Sequence, residues 1–484
     1  MGKTGTAGRF ITRTDPVPQV DARDRRRQVR CHHQPEPVAQ RVLFDFDHSS
    51  HAPTPPYSVR HPLPGVPVTL EPIRWRQRPQ PTENQPGAGI VGFIPFQMER
   101  WQSTYEHRVD YNLSESGVHP LTVGELLSYA GGAVDLSDVG LGYSQSNGTD
   151  ELRALIASLH PGATDRSVVV TIGGAEANFV AFWELARPGR SAAVMLPNYM
   201  QVPGLIRNFS GGAIPFHLRE EAGWRPDLDQ LESALRAGAG FILVTHPNNP
   251  TGVALTSNEM DDIVSLADAH GAWILSDEVY RGAEVGAEPV PTFWGRYDRV
   301  LVTNSLSKAY GLPGVRIGWV LGPEDVVERL WARTDYTTIA PPSVSDALAR
   351  IALSPAVRPK ILERTRAIIR RNLDHLARWV ACHDGLFSFT PPDAGAISMV
   401  RYDADIGSLE LAERLRVERS LLIVPGAHFG IESTMRLGFG PPEDELQHAL
   451  DRLGDAFESL RNRAFGPDAV RAPLPTGASG QSSS

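Results

Sequence analysis

The sequence from Asn304 to Trp319 reads NSLSKAYGLPGVRIGW, and this stretch decides the fold prediction. Lys308 lies among serines and glycines, without an acidic neighbour in the sequence, eight residues before Arg316. Apolar runs typical of β-strands lie on both sides, so we expect the lysine at a strand end. A lysine there can act as a nucleophilic amine if it is sufficiently desolvated, whereas a solvated surface charge fits this setting poorly.

Two other predicted strand ends contain unusual chemistry. The sequence VTIGGAEAN, from Val170 to Asn178, joins a strand to a helix through two glycines, which lets backbone N–H groups bind an anion. The sequence WILSDEVY, from Trp273 to Tyr280, ends a strand in a carboxylate. A buried Asp at that place needs a cationic partner or several hydrogen-bond donors. A simple turn and a helix-capping Asp are the structural alternatives for these two stretches.

Short β-rich runs alternate with amphipathic, helix-length segments between Phe93 and about Phe465. This alternation predicts an α/β fold with a mostly parallel, seven-stranded-type sheet that is covered by helices on both faces. The predicted strands include Ser167–Ile172, Ala192–Leu196, Phe241–His246, Ala272–Ser276, Val300–Asn304 and Val315–Leu321. Because ligands bind at the carboxyl ends of parallel strands, we expect the site just after these runs.

The predicted domain organisation follows from the changes in pattern along the chain. Residues 135–323 form the large domain, and residues 324–465 form a smaller α+β domain that residues 93–134 complete as an N-terminal arm. Residues 1–92 are predicted to be a disordered, basic, Pro-rich tail, and residues 466–484 a second disordered tail. The first 90 residues contain 14 of the 40 prolines and have a net charge of +5, against −9 for the whole chain.

Composition narrows the class of protein. Of the 484 residues, 41% are hydrophobic and 21% are charged, an ordinary globular balance. No run approaches the ~20 apolar residues of a membrane span, and no signal peptide is recognisable, so we expect a cytoplasmic protein without membrane contact. Cys31 and Cys382 are the only cysteines, which excludes a disulfide framework and a Cys-based zinc site. We predict no metal.

The basic N-terminal region raises the alternatives of a nucleic-acid arm or of a transcription regulator with a winged helix. A winged helix needs three amphipathic helices, and the proline spacing in residues 1–90 opposes them. We therefore expect no nucleic-acid partner.

Together these stretches resemble the class I/II aminotransferases, which are fold-type-I enzymes that use pyridoxal 5′-phosphate (PLP). The resemblance covers roughly residues 101–440. The stretch quoted first is similar to the family's Schiff-base segment, and the sequence HPNNPTG from His246 to Gly252 is similar to its Asn-Pro-x-Gly turn. Asp277 and Tyr280 keep the family's Asp-x-x-Tyr spacing.

The resemblance implies catalytic roles for three of these residues. Lys308 would bind PLP as a Schiff base and then act as the base that moves the α-proton of an amino acid. Asp277 would pair with the pyridine nitrogen and keep it protonated. Tyr280 and Asn249 would form hydrogen bonds to the ring oxygen, and Asn249 is also expected beside the substrate.

The cofactor phosphate needs several donors. The resemblance implies the backbone N–H groups of Gly174 and Ala175, the Ser305 hydroxyl and the Arg316 guanidinium. Tyr143 matches a tyrosine that reaches the phosphate of the neighbouring subunit, which implies a homodimer, although a packed surface tyrosine is its structural alternative.

Further residues are implied to hold the ring and the substrate. Tyr199 matches the aromatic residue that stacks on the cofactor, or else it is a core aromatic. Arg436 corresponds to the arginine that binds the α-carboxylate with two hydrogen bonds, and Gly117 to a glycine beside the substrate. Glu115 and His119 flank Gly117 and are candidate specificity residues, with exposed loop positions as the alternative. No second arginine for a dicarboxylate side chain is identifiable, so an aspartate-type substrate is neither supported nor excluded.

The resemblance implies an aminotransferase that moves an amino group between an amino acid and a 2-oxo acid, because transamination is the commonest reaction on this scaffold. The main alternative is a PLP-dependent lyase or cyclase. The sequence LSESGV from Leu113 to Val118 is also similar to the capreomycidine-synthase-like branch, which closes an arginine-derived ring after it eliminates a β-hydroxyl. The cofactor motifs do not distinguish these reactions.

Overall fold

The computed structural model describes residues 93–132, 135–383 and 385–465. The α-helices are α1 Gln97–Tyr105, α2 Val123–Tyr129, α3 Asp150–Ala157, α4 Gly173–Leu185, α5 Gln201–Phe209, α6 Leu228–Arg236, α7 Ser257–His270, α8 Glu324–Thr334, α9 Ser343–Leu353, α10 Arg358–Ala381, α11 Ser408–Arg419 and α12 Glu443–Phe465. The two predicted tails lie outside the described residues.

The strands of the same residues form three sheets. They are β1 Tyr111–Asn112, β2 Val168–Thr171, β3 Ala192–Leu196, β4 Ala213–Arg219, β5 Arg225–Pro226, β6 Phe241–Thr245, β7 Trp273–Asp277, β8 Val300–Ser305, β9 Gly318–Leu321, β10 Phe387–Phe389, β11 Ile397–Tyr402, β12 Leu421–Leu422, β13 Val424–Pro425 and β14 Thr434–Gly438. Among the described helices, none is both long and apolar enough to cross a membrane.

The largest sheet has eight strands in the order β2-β9-β8-β7-β6-β3-β4-β5. Strands β3, β4, β6, β7 and β8 pair in parallel, and β9 runs antiparallel to both of its neighbours, so β2 and β8 point the same way. The predicted α/β class with a mostly parallel sheet is confirmed. The eighth strand is the two-residue β5, which pairs antiparallel with the end of β4 and was too short to be recognised in the sequence.

Both faces of this sheet are buried along β2, β3, β6, β7, β8 and β9, which explains the continuous apolar runs of those strands. In β6, Phe241 and Leu243 belong to one core cluster, whereas Ile242 and Val244 belong to the other. Successive side chains of a strand point to opposite faces, so each face must be covered by its own layer. Helix α4, for example, places Val180 in the same cluster as Phe241.

Local signals account for most of the element boundaries. Helix α7 begins after Thr256, which forms a capping box with Glu259, and ends at Gly271 in the left-handed conformation. Strand β9 begins at Gly318 instead of Val315, because Pro313–Val315 forms a 3₁₀ turn and Arg316 has a left-handed backbone with φ of +54°.

The remaining strands form two smaller sheets. Strands β10-β11-β14-β13 form an antiparallel sheet, and β1 pairs in parallel with β12. Strands β12 and β13, Leu421–Leu422 and Val424–Pro425, therefore belong to different sheets although they are close in sequence. The β1 pairing joins the segment before residue 135 to the C-terminal part, while the domain boundaries themselves stay a prediction.

A buried histidine, His246, is expected to make the stability of the fold sensitive to acidic pH. His246 is fully buried; its Nδ1 accepts the Leu255 N–H at 3.0 Å, and its Nε2–H donates to the Pro291 carbonyl at 3.0 Å. Burial, opposed by the bond to Pro291, lowers the pKa of His246 to about 4. Between pH 6.5 and 4 the unfolded chain therefore binds a proton that the native ring does not, and stability falls with falling pH.

We expect the unfolding free energy of the cofactor-free protein to drop between pH 7 and 4 by about 3 kcal/mol more in wild type than in His246→Gln. Urea unfolding at both pH values measures this difference. Equal pH dependence of the two proteins, or an NMR titration of the wild-type ring near pH 6.5, would contradict it.

Candidate active site

The carboxyl ends of β2, β6, β7 and β8 meet at one edge of the large sheet, where a cavity of about 310 Å³ opens. This volume is at the lower end of the roughly 300–1,000 Å³ that is usual for small-molecule sites. Ten of the predicted site residues line the cavity: Gly174, Ala175, Tyr199, Asn249, Asp277, Tyr280, Ser305, Lys308, Arg316 and Arg436.

A buried carboxylate lies at one end of the cavity. Asp277 ends β7, and its Oδ2 accepts a hydrogen bond from Asn178 Nδ2 at 2.9 Å, while its Oδ1 accepts the Val279 N–H at 3.2 Å. The Thr303 hydroxyl donates to Asn178 Oδ1 at 2.7 Å and so fixes the orientation of that amide. Burial raises the pKa of Asp277, so a cation placed beside it would be strongly favoured.

A second end of the cavity is built for an anion. Gly174 is in the first turn of α4, and a Cβ placed on it would lie 3.5 Å from the Ser305 Oγ. Gly173 has a φ of +76°, and a Cβ there would lie 2.3 Å from Arg316 Nη2, so only glycine leaves room for the guanidinium. Helix N–H groups, a hydroxyl and a guanidinium together form an anion site.

The only lysine that lines the cavity among the described residues is Lys308. Its Nζ lies 3.7 Å from Glu115 Oε2, and a Cβ on Gly117 would lie 3.5 Å from its Cδ. The charge of Lys308 lowers the pKa of Glu115, against the effect of burial. The lysine therefore faces a carboxylate that is ionised at neutral pH.

A buried arginine lines the same cavity. Arg436 in β14 is 1% exposed; its Nη1 donates to Asn249 Oδ1 at 3.0 Å, and its Nη2 donates to the Ser114 carbonyl. Its Nε has no acceptor among the described residues. Asn249 Nδ2 donates to the Tyr280 hydroxyl at 3.2 Å, which links the guanidinium to the phenol. Burial raises the pKa of Tyr280, so the phenol stays protonated.

Tyr199 connects the site to the N-terminal helix. Its hydroxyl donates to Glu99 Oε2 at 3.2 Å, and its ring lies 5.1 Å from that of Phe96 in an edge-to-face arrangement. Burial, followed by the charge of Glu99, raises the pKa of Tyr199 well above 10.

Three residues singled out in the sequence do not line the cavity. Gly117 packs against Lys308 from outside the lining. His119 lies away from it, with Nδ1 at 3.1 Å from the Gly440 carbonyl. Tyr143 is 88% exposed, so within this single chain it contacts no part of the site.

Sequence reasoning missed two contributions to the site. Asn178 was in a quoted stretch, but a neutral amide gave no signal that it would hold Asp277. Helix α1 provides Met98, Glu99 and Gln102, and Glu106 follows it. The spacing of these four residues along the helix was the signal in the sequence that could have indicated their shared contribution to the site. In the described chain no group of three or more His, Cys, Asp or Glu side chains is arranged to hold a metal ion.

Comparison with known proteins agrees with this geometry. Residues 135–453 match the family model described as aminotransferase class I and II. The chain is 30% identical over 375 residues to capreomycidine synthase from Streptomyces vinaceus, which covers 76% of this chain and 95% of that protein. It is 29% identical to aspartate aminotransferase from Streptomyces avermitilis, with 64% and 80% covered. A PLP-dependent aminotransferase from Streptococcus suis has a TM-score of 0.72 at 30% identity, with 76% of this chain and 99% of that chain covered.

Proposed function

Because the chain belongs to the class I and II aminotransferase family, we propose that it is an aminotransferase acting on an α-amino acid. In the net reaction, the amino group of one amino acid replaces the oxo oxygen of a 2-oxo acid. The amino acid becomes a 2-oxo acid, and the 2-oxo acid becomes an amino acid. The family and its PLP-dependent structural neighbours imply pyridoxal 5′-phosphate as the cofactor.

The side chains around the cavity fit that cofactor. Asp277 is a buried carboxylate with two neutral donors, which suits a protonated pyridine nitrogen. Gly174, Ser305 and Arg316 supply the donors that a phosphate requires, and the missing Cβ at Gly173 leaves room for the guanidinium. Lys308 would hold the aldehyde carbon covalently. When bound, the cofactor supplies an electron sink for the bonds at the substrate Cα.

The residues of this chain would perform the remaining tasks. Arg436 would bind the α-carboxylate, since it lines the cavity and its Nε–H has no acceptor among the described residues. The Lys308 amine would move the proton of the substrate Cα. Tyr280 would stay protonated and donate to the ring oxygen. Asn249 would hold the Tyr280 hydroxyl and the Arg436 guanidinium in place through its hydrogen bonds with both. Arg436, Tyr280 and Asn249 are buried, which would limit the access of water to the reacting carbon.

One observation supports the proposal most strongly. A lysine amine, a buried carboxylate and a buried guanidinium open onto a single cavity at the carboxyl ends of parallel strands. These three groups match an amine-reactive aldehyde, a ring nitrogen and a carboxylate, respectively.

The proposal predicts a half-reaction that can be observed without a second substrate. We expect single amino acids, added to the PLP-loaded protein in the absence of any 2-oxo acid, to replace its visible absorbance with that of the pyridoxamine form. An absorbance spectrum and chromatography of the released 2-oxo acid measure this change. If no amino acid alters the spectrum, the aminotransferase proposal is wrong.

A PLP-dependent lyase or cyclase is the second candidate. It is favoured by the similarity to capreomycidine synthase over nearly the whole of that relative, and by Glu115, an acidic residue 3.7 Å from the Lys308 amine. A β-hydroxylated arginine distinguishes the two candidates. A cyclic product without a 2-oxo acid would favour the cyclase.

The proposal includes a homodimer in the cytoplasm. Tyr143 and Leu141 are 88% and 87% exposed, and neither contributes to the cavity of its own chain. An exposed tyrosine next to an exposed leucine suits a surface that a second copy covers, with Tyr143 reaching the cofactor phosphate of that copy.

A further inference from the structure

We propose that the cavity contains a carboxylate recess, formed by Glu99, Glu106 and Glu115, that binds the positively charged side chain of the amino-acid substrate. This inference rests on the proposed function, because the recess opens onto the same cavity as Lys308 and Arg436. The ligand class is an α-amino acid with a guanidinium or ammonium group at the end of its side chain.

The recess is formed by two segments of the chain. Helix α1 and the residue after it present Glu99 and Glu106 to the cavity, with Gln102 between them on the same face. The segment after β1 presents Glu115. All three glutamates precede residue 135, where the match to the family model begins.

The charges of the cavity leave these carboxylates in excess. Asp277 and Arg316 are assigned to the cofactor, and Arg436 to the substrate carboxylate. Within the described residues, neither Glu99 nor Glu106 has a Lys or Arg partner within 4 Å, whereas Glu115 has only Lys308. Once the Lys308 amine is engaged in chemistry, three acidic groups remain beside the substrate without a matching cation.

Two of the carboxylates also disfavour each other. Burial raises the pKa of Glu106, and the neighbouring charge of Glu115 raises it further. Like charges held this close are costly unless a proton or a cation lies between them, and a guanidinium supplies several donors for both.

The recess lies beside the carboxylate anchor. Arg436 is 1% exposed, and its Nε–H is unpaired among the described residues, which independently indicates a ligand that accepts hydrogen bonds. The Ser114 carbonyl, which accepts from Arg436 Nη2, immediately precedes Glu115. Met98, whose Sδ lies 3.7 Å from Arg436 Nη1, immediately precedes Glu99. An amino acid held at Arg436 therefore has acidic groups next to it on two sides.

Binding can be tested without any reaction at the cofactor. Calorimetric titration of the PLP-loaded protein compares 5-guanidinopentanoate with 5-ureidopentanoate, which have the same shape but differ in charge. We expect the guanidino compound to bind at least about tenfold more tightly, as charged hydrogen bonds require. Equal affinities for the two compounds would contradict the proposed recess.

Single Glu→Gln substitutions test which carboxylates cause the preference for the guanidino compound. Glu99→Gln and Glu106→Gln remove one charge each while they keep the side-chain shape, and each is expected to reduce the preference for the guanidino compound by about fivefold to tenfold. Glu445→Gln is the matched control, because Glu445 is exposed on α12 and does not line the cavity. An unchanged preference in both cavity variants would overturn the proposal.

Spectra with L-arginine and L-citrulline separate this inference from the proposed function. If neither amino acid, nor any other, changes the cofactor absorbance while the guanidino compound still binds preferentially, the aminotransferase proposal fails and the recess stands. If citrulline reacts and binds as well as arginine, the recess fails and the aminotransferase proposal stands.

Discussion

The Lys308→Ala protein is expected to lose the visible absorbance that PLP acquires on covalent attachment, and to lose turnover by roughly 10⁴-fold or more. The structure gives two reasons. Among the described residues, Lys308 is the only lysine that lines the cavity, and it shares that cavity with the buried Asp277 carboxylate and the anion site at Gly174. Absorbance spectra of the PLP-loaded protein and the rate of the half-reaction measure both effects.

The chain offers an unusually clear control for this experiment. It contains only three lysines among its 47 basic residues, namely Lys3, Lys308 and Lys360. Lys360 is on α10, outside the cavity, and donates to the Tyr129 carbonyl at 2.8 Å. Lys360→Ala is therefore expected to keep the absorbance.

Borohydride reduction followed by peptide mass spectrometry should place the cofactor on the peptide that contains Lys308. Full absorbance in Lys308→Ala, or a label on Lys360, would refute the assignment.

The fold was largely predictable because the central strands of its large sheet are buried on both faces. The run Ala192–Leu196 is continuous and apolar, and the structure has a strand with the same limits. The sequence could not predict that β9 begins only at Gly318, because Arg316 adopts a left-handed backbone that residues other than glycine rarely adopt. That conformation belongs to a residue at the anion site, where strain is often found.

The site was predictable where its residues follow strands directly. Asp277 and Ser305 end neighbouring parallel strands, so the topology alone brings them to the same edge of the sheet. The contribution of α1 depends on contacts between distant parts of the chain. Met98 and Arg436 are 338 residues apart in sequence and 3.7 Å apart in space, between sulfur and nitrogen. Periodicity within α1 indicates that one face is buried but does not identify what covers it.

The difference between residues at strand ends and residues on α1 also corresponds to a difference in proposed role. The former would serve the cofactor chemistry that the family shares, and the latter the substrate selectivity of this chain. The residues at strand ends that we propose to hold the cofactor lie within the region that matches the family model. Glu99, Glu106 and Glu115 lie before that region, on α1, just after it and after β1, respectively. Cofactor binding and side-chain recognition should therefore respond to different substitutions.

Arg436 variants test whether amino-acid binding can be changed without a change in cofactor binding. We expect Arg436→Ala to weaken amino-acid binding by roughly 10²–10⁴-fold while the cofactor absorbance stays near that of wild type, because two charged hydrogen bonds to the α-carboxylate are lost. The alanine variant also leaves the Ser114 carbonyl and Asn249 Oδ1 without their donor, at a cost to stability. Arg436→Lys keeps the positive charge but not the planar pair of donors, so it should weaken binding less, by roughly tenfold or more.

Arg316→Lys is the matched control, since Arg316 is also an arginine of the cavity but faces the anion end beside Gly173. It should weaken the affinity for PLP by roughly tenfold or more and leave amino-acid binding at saturating PLP nearly unchanged. Spectral titrations with PLP and with an amino acid give both affinities for each protein. The assignment of Arg436 to the substrate carboxylate requires opposite patterns in the two lysine variants. If Arg436→Lys lost affinity for PLP and for the amino acid to the same extent, the guanidinium would be maintaining the whole cavity, and the carboxylate would have to be bound elsewhere.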